Sequence, residues 1–198
     1  AFDDKVHEGI SYNDYSLWDT FRAFHPLMTL LEPELTGNWI TGLLQMYKEG
    51  GWMPMWPNPS YTNIMIGTHA DALIADAYMK GIRNYDTDLA YEAMRKNAMV
   101  PPDCDTQRRY GDRDRWTSFE ARAGASFYHT IGYVPDDKTA ESVSRTLEYA
   151  YDDWCIAQVA KEMGKMDDYK SLMQWSQNYK NIYNTEKGFM LPRKYNGE

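Results

Sequence analysis

The sequence predicts an all-α fold built from antiparallel helix pairs. Apolar residues recur at helical spacing through most of the 198-residue chain. Strand signals are poor, because no run of β-branched residues alternates over five or more positions. Helix pairs in series are typical of an αα-toroid or solenoid. Three pairs correspond to half of a six-pair (α/α)6 barrel, with long loops between the helices.

The first pair is predicted over 17–31 and 34–49. Ser16 is a candidate cap for the first helix, and Pro33 follows its end. Gly50 and Gly51 are expected to stop the second helix. Apolar residues at i, i+4, i+7, i+11 and i+14 predict the first helix: Leu17, Phe21, Phe24, Met28 and Leu31.

The second pair is predicted over 68–81 and 88–98, with Thr68 as a candidate cap and Gly81 as the terminator. Between the two pairs lies a long loop over 51–67. A second long loop covers 100–115, and loops of this length in a compact domain are usually functional or mobile.

The third pair is predicted over 139–163 and 167–183. Gly164 ends the first of these helices, and two acids open the second, where they favour the positive end of the helix dipole. The segment 118–133 is ambiguous. The apolar stripe of the 139–163 helix consists of Val143, Leu147, Ala150, Trp154 and Ala157.

Composition and charge exclude several classes of protein. The chain has 21 Lys and Arg against 29 Asp and Glu, and this net charge of −8 argues against nucleic acid as the main partner. No apolar run reaches the length of about 18 residues that a membrane span needs. Cys104 and Cys155 form neither a disulfide framework nor a zinc pattern. Ala1 in place of Met and the turn-like 195–198 lead us to expect a piece of a longer protein.

Aromatic residues lie beside acids on the first helix of each pair. Trp18 precedes Asp19, His69 precedes Asp71, and Glu148 and Asp152 are interleaved with Tyr and Trp. In an αα-barrel these first helices form the inner ring, so their side chains meet at one mouth. Carboxylates accept sugar hydroxyls and aromatic rings cover the apolar face of a sugar, so the pattern favours a carbohydrate ligand.

Each of these residues also has a purely structural interpretation. Asp19 is suited to the helix dipole. His69 shares a face with Asp76, as expected for a buried, hydrogen-bonded histidine. Glu148 and Asp152 are like-charged i, i+4 neighbours, which costs stability unless a partner or a function offsets it.

Two further residue sets are weighed in the same way. Trp18, Arg22 and His25 form a second face on the first helix, and this face is either ligand-facing or protein-facing. The acids at 103–105 and 112–114 lack the pattern of a calcium loop and are predicted to form a solvated face.

Several motifs in order resemble glycoside hydrolase family 92. The most specific is the Glu-Ser-Val-Ser-Arg-Thr-Leu-Glu-Tyr-Ala-Tyr-Asp-Asp-Trp segment at 141–154. The others are Ser-Leu-Trp-Asp-Thr-Phe-Arg at 16–22, Gly-Gly-Trp-Met-Pro-Met-Trp at 50–56, Gly-Thr-His at 67–69, Ile-Ala-Asp-Ala-Tyr at 74–78, Asn-Tyr-Lys-Asn at 178–181 and Gly-Phe-Met at 188–190.

The resemblance implies part of the catalytic domain, over 1–198, of a calcium-dependent exo-α-mannosidase. Such enzymes invert the anomeric carbon and act most often on α-1,2-linked mannose of glycans, with a β-sandwich domain beside the (α/α)6 barrel. The glycan substrate favours a periplasmic or secreted protein. The family's catalytic acid, base and calcium ligands are expected outside this chain, so no catalytic or metal residue is assigned. The predicted substrate-binding residues are Trp18, Asp19, Arg22, His69, Glu148 and Asp152.

Two alternatives to an α-mannosidase remain at this point. One is a glycosidase of other linkage or sugar specificity on the same toroid. The other is a non-catalytic carbohydrate-binding or scaffold fragment.

Overall fold

The computed structural model describes residues 3, 5–57, 61–62, 64–103, 105–107 and 122–198. Within these residues the chain forms eight α-helices, one short 3-10 helix and one two-stranded hairpin, which confirms the all-α prediction. The helices are α1 (Leu17–Thr20), α2 (Phe24–Leu31), α3 (Pro33–Gly50), α4 (Ala70–Met79), α5 (Thr87–Met99), α6 (Ala125–Ile131), α7 (Ser142–Glu162) and α8 (Met166–Trp175).

The helices form two curved layers, as expected for part of an αα-toroid. In the inner layer α4 lies between α2 and α7. In the outer layer α3 packs against α2 and α4, α5 packs against α7 and α3, and α8 packs against α7. The core between the layers is apolar, and its burial provides the main stabilisation. It includes Leu43, Leu73, Met94, Ile156 and Leu172.

The single helix predicted over 17–31 is wrong, because residues 21–23 form a turn that separates α1 from α2. The turn changes the face that α2 buries. His25 is buried, whereas Phe24 and Leu31 of the predicted apolar stripe are exposed. His25 packs edge-on against the Trp39 ring of α3, with ring centroids 5.4 Å apart, so the protein-facing interpretation holds for it.

Two predicted helix stops are confirmed by their backbone geometry. Gly51 follows α3 in the left-handed conformation with φ of 83°, and its N–H donates to the carbonyl of Tyr47 at 2.8 Å. Gly164 follows α7 with φ of 71°. Glycine takes this conformation without the strain that a Cβ would add.

Neither predicted N-cap forms a capping hydrogen bond: Ser16 occupies the N-cap position of α1 without one, and the N-cap of α4 is His69 instead of Thr68. The Ser16 hydroxyl donates to the Asp19 carboxylate at 2.6 Å, and the Thr68 hydroxyl donates to the Asp152 carboxylate at 3.1 Å. In both cases a carboxylate, which attracts a donor more strongly than a neutral acceptor does, takes the hydroxyl away from the helix end. The cap of α5 is Asp86, whose side chain accepts the Leu89 N–H at 3.0 Å.

Asp105 corrects the prediction of a solvated acidic face. It is buried, and it accepts the backbone N–H groups of Gly124 at 2.6 Å and Ser126 at 2.7 Å. These are orphan donors at the start of α6, where negative charge also favours the helix dipole. The acids at 112–114 and the first part of the ambiguous segment, 118–121, lie outside the described residues.

The helix predicted over 167–183 ends early. After α8 the chain tightens into a 3-10 helix, Asn178–Ile182, followed by the strands β1 (Tyr183–Asn184) and β2 (Phe189–Met190). Two side-chain amides hold this segment against α6. Asn178 donates to the carbonyl of Tyr128 at 3.1 Å, and Asn181 donates to that of Gly132 at 2.9 Å.

None of the helices in the described part of the chain is long and apolar enough to cross a membrane. Cys155 is a free, buried thiol on α7, and Cys104 lies outside the described residues.

Ile156 tests the two-layer core. It lies fully buried on α7, so Ile156→Ala should lower the free energy of unfolding by about 2–5 kcal/mol through lost burial and a cavity. Leu30→Ala is the matched control, because Leu30 is 70% exposed and its truncation should change stability by less than about 0.5 kcal/mol. Urea denaturation followed by circular dichroism measures both. Equal losses of stability in the two variants would contradict the placement of Ile156 in the core and of Leu30 at the surface.

Candidate functional site

A groove of about 740 Å³ runs along the concave side of the inner layer. We call it the inner groove. Apolar side chains form most of its wall and three charged side chains also line it, so it suits a ligand with both apolar faces and hydroxyl groups. Its lining includes Phe21, Arg22, Asp76, Glu148, Tyr151 and Trp154.

Glu148 of α7, which lines the inner groove, accepts two hydrogen bonds and forms an ion pair with a third residue. Its Oε1 accepts the indole N–H of Trp18 at 3.2 Å and Arg22 Nη2 at 3.1 Å. Its Oε2 lies 3.4 Å from His69 Nε2. We call these four residues the Glu148 cluster. Because α1, the turn at 21–23, the start of α4 and α7 each supply a member, only the tertiary fold assembles it.

Arg22 and the aromatic rings of the first segment form a stack beside this carboxylate. The Arg22 guanidinium carbon lies 4.6 Å from the centre of the Phe21 ring and 5.3 Å from that of Trp18. On its other side Phe21 stacks on the His69 imidazole, with centroids 3.9 Å apart and planes at 16°. Cation–π attraction of this kind holds the half-exposed Arg22 side chain over its rings.

His69 is fully buried between Phe21 and α7. Its Nδ1 lies 3.0 Å from Asp152 Oδ1, and a carboxylate only accepts, so Nδ1 carries a proton. Gly67 lies against Nε2 with φ of 101°, and a Cβ there would collide with the imidazole. This close approach explains why glycine precedes Thr68.

Asp152 is held from three sides. Its Oδ2 accepts the backbone N–H of Thr68 at 2.7 Å and the Thr68 hydroxyl at 3.1 Å, while Oδ1 faces His69. The structural interpretation of His69 as a buried, hydrogen-bonded histidine is therefore confirmed, with Asp152 as the partner. Asp76 instead accepts Lys80 Nζ at 2.8 Å. His69, placed between the two carboxylates of α7, offsets their mutual repulsion.

These contacts shift the pKa values of both partners. Burial alone would lower the pKa of His69, but the charges of Asp152 and Glu148 outweigh it and raise the pKa above its usual value. Burial alone would raise the pKa of Asp152, yet His69, Arg122 and the Thr68 N–H lower it. Both shifts favour the ion pair, with the positive charge on the imidazole.

A second buried network, centred on Arg122, supports the first. Arg122 is fully buried and donates through Nη1 to Asp153 and through Nε to the Thr68 hydroxyl at 3.1 Å. Its Nη2 lies 3.5 Å from Asp71 on α4. Tyr128 of α6 donates to Asp153 at 2.9 Å. Sequence reasoning missed Arg122, because this residue belongs to no motif and lies in the ambiguous segment 118–133.

Three buried carboxylates thus share two cations. Asp71, Asp152 and Asp153 face Arg122 and His69, which leaves one negative charge without a partner. Burial, together with the charge of Asp152, raises the pKa of Asp71 to about 8 even though Arg122 opposes the shift. Asp71 therefore keeps its proton at neutral pH, and Asn97 donates to its Oδ1 at 3.2 Å.

The structure brings five of the six predicted substrate-binding residues into one set of contacts: Trp18, Arg22, His69, Glu148 and Asp152. Asp19 follows Trp18 in the chain, but its carboxylate is exposed and accepts the Ser16 hydroxyl. Trp18 is 37% exposed, so part of its indole is open to a ligand.

The described residues of the site do not fit a calcium ion. Calcium requires six to eight oxygen ligands, whereas Glu148 and Asp152 already bind cationic or neutral donors. In the described part of the chain one group of three possible ligands lies close together, Asp3, His7 and Glu49, and it includes an imidazole that a hard cation does not favour.

Asp71→Asn tests the charge imbalance. A folded-state pKa above the usual Asp value means that the folded chain binds this proton more tightly, so stability falls as pH rises from about 4 to 8. The amide mimics the protonated acid, so Asp71→Asn should lose less stability than the parent chain over this window. Urea unfolding at pH 5, 6.5 and 8 measures the slopes, with the exposed Asp88→Asn as control. Parallel slopes for Asp71→Asn and the parent chain would contradict the raised pKa.

Comparison with known proteins shows similarity to glycoside hydrolases over the whole chain. The model of the glycosyl hydrolase family 92 catalytic domain matches residues 1–198. An uncharacterized secreted glycosidase of Arthroderma benhamiae is 36% identical over 180 residues, covering 78% of this chain and 21% of its own length.

Two solved structures from Bacteroides thetaiotaomicron are also similar. A family 92 inverting mannosidase is 38% identical with a TM-score of 0.87, covering 100% of this chain and 25% of its own. A family 92 α-mannosidase, solved also with mannoimidazole, is 36% identical with a TM-score of 0.81, covering 98% of this chain and 24% of its own. The chain spans about a quarter of the length of these enzymes. It belongs to glycosyl hydrolase family 92.

Proposed function

We propose that this chain is part of the catalytic domain of an exo-α-mannosidase that releases terminal α-1,2-linked mannose from glycans with inversion. The Glu148 cluster carries the proposal, since it presents a guanidinium and a carboxylate at the inner groove and holds the half-exposed Trp18 indole beside them. The similarity to two solved mannosidases supports mannose as the sugar.

In this proposal the accessible residues contact the terminal mannose. Trp18 covers the apolar face of the ring, and the exposed Asp19 carboxylate accepts sugar hydroxyls in charge-assisted hydrogen bonds. Arg22 donates to a ring or linkage oxygen. His69 and Asp152 are fully buried, so we place them behind Glu148 rather than against the sugar.

Inverting hydrolysis needs one carboxylic acid that protonates the leaving oxygen and one carboxylate that activates water on the opposite face. The carboxylates at this site are engaged: Glu148 binds Arg22 and Trp18, and Asp152 binds Thr68 and His69. We therefore place the catalytic acid and base, and the ligands of a calcium ion, in parts of the enzyme outside this chain.

The exposed apolar face of the inner layer supports a larger assembly. Leu27, Leu30 and Leu31 of α2 and Trp154 of α7 are between 47% and 70% exposed. Soluble monomeric proteins rarely expose large apolar patches, and such a patch usually marks a surface that another domain or partner covers. We propose that the remaining helices of an (α/α)6 barrel cover them, with a β-sandwich domain beside the barrel.

Asp19→Ala tests the sugar contact in a protein extended to the length of its relatives. Loss of a charge-assisted hydrogen bond should lower kcat/KM on α-1,2-mannobiose. The reduction should correspond to a loss of about 2 kcal/mol of transition-state stabilisation. Asp88→Ala, which removes an exposed carboxylate on the outer helix α5, is the control and should leave the kinetics unchanged. Near-normal kinetics for Asp19→Ala would contradict the assignment.

The 198-residue chain alone should have no α-mannosidase activity, because it lacks the proposed acid–base pair. It should also self-associate through the exposed face of α2. Mannose release from α-1,2-mannobiose with calcium present measures the first property, and sedimentation velocity measures the second. Sustained turnover by the purified chain would place the catalytic groups within it.

Sugar binding without hydrolysis in the extended protein would favour the carbohydrate-binding alternative.

A further inference from the structure

We propose that Asp152 is a positioning residue. It fixes the His69 imidazole through Nδ1, so that Nε2 lies at ion-pair distance from Glu148, and thereby sets the orientation of the Glu148 carboxylate at the inner groove. This inference rests on the proposed function, because it assumes that Glu148 accepts a hydroxyl of the sugar.

The first step is that burial and hydrogen bonds hold the Asp152 carboxylate in one orientation. It is fully buried, and two donors of Thr68 hold Oδ2 at 2.7 and 3.1 Å. Arg122 donates to the same Thr68 hydroxyl, which leaves the hydroxyl proton directed at Asp152. The carboxylate is thus fixed from behind, and its Oδ1 faces His69.

The second step is that the orientation of His69 follows from Asp152. Nδ1 donates to Oδ1, Phe21 stacks on one face of the ring, and Gly67 lies against Nε2. The charged groups acting on His69 are Asp152 and Glu148 from α7 and Arg22 from the turn at 21–23. Of these, Glu148 Oε2 lies 3.4 Å from Nε2, where the charge of the imidazolium attracts the carboxylate without a hydrogen bond.

The third step concerns the capacity of Glu148. A carboxylate offers roughly four acceptor positions. Trp18 and Arg22 occupy two positions, both at Oε1, and the His69 ring lies 3.4 Å from Oε2 as an ion pair. The acceptor positions of Oε2 then remain, on a side chain that is 17% exposed. An oxygen held in this way accepts hydroxyls from a restricted set of directions, which favours a sugar whose hydroxyls have the matching stereochemistry.

Asp152→Asn tests the arrangement directly in the 198-residue chain. An amide removes the charge that keeps His69 protonated, so the titration midpoint of His69 should fall by at least one pH unit in long-range ¹H–¹⁵N imidazole spectra. The buried His25 and His129 are internal controls whose midpoints should not change. Glu148→Gln should lower the His69 midpoint by a smaller amount and keep the proton on Nδ1 in the neutral ring.

Kinetics of the extended protein separate positioning from general structural damage. Asp152→Asn and Glu148→Gln should each lower kcat/KM on α-1,2-mannobiose at least tenfold. The double variant should be no worse than Glu148→Gln alone, because Asp152 acts through Glu148. Losses that multiply in the double variant would overturn the proposal, as would an unchanged His69 midpoint in Asp152→Asn.

Two other experimental results would also decide between the positioning proposal and the proposed function. If Asp152→Asn does not fold, Glu148→Gln decides, and an unchanged His69 midpoint in that variant overturns the proposal. If the imidazole spectra behave as expected but the extended parent protein releases no mannose, the proposed function fails while the positioning of His69 by Asp152 stands.

Discussion

The contacts between Asp152 and the start of α4 join the two central helices of the inner layer, and the candidate site depends on them. Burying a carboxylate is costly unless it is paired and hydrogen-bonded. Here Thr68 supplies two hydrogen bonds and His69 supplies a charge. Removing any of these partners would leave a buried charge uncompensated, so the arrangement fixes how α4 and α7 pack.

The Glu148 cluster extends this buried arrangement to the surface. Arg122 and Asp153 lie deepest, Thr68 and Asp152 lie above them, and His69 connects that layer to Glu148 at the inner groove. Hydrogen bonds connect the buried members, and an ion pair connects His69 to Glu148. Because the buried members are held by several hydrogen bonds, the outermost carboxylate has a preferred orientation before a ligand arrives, which lowers the ordering cost of binding.

The break between α1 and α2 is the second constraint on the site. A continuous helix over 17–31 would have kept Phe21 and Phe24 on one buried stripe. The turn instead places Phe21 on the His69 ring and directs Arg22 to Glu148, while α2 buries His25 and leaves its leucines on the concave face. Pro26 lies in the first turn of α2, where its missing N–H costs no helical hydrogen bond, whereas in a continuous helix its ring would clash with the carbonyl of Arg22.

The sequence alone determined the helix pairs, the glycine stops, the family and most of the candidate binding residues, because helical periodicity and short motifs are local signals. It did not determine which residues touch. Pairing of His69 with Asp152, capping of α6 by Asp105, and the role of Arg122 all join residues at least 19 positions apart. Local patterns carry no information on such contacts, since they form only when burial removes water and each buried charge must find a partner within the fold.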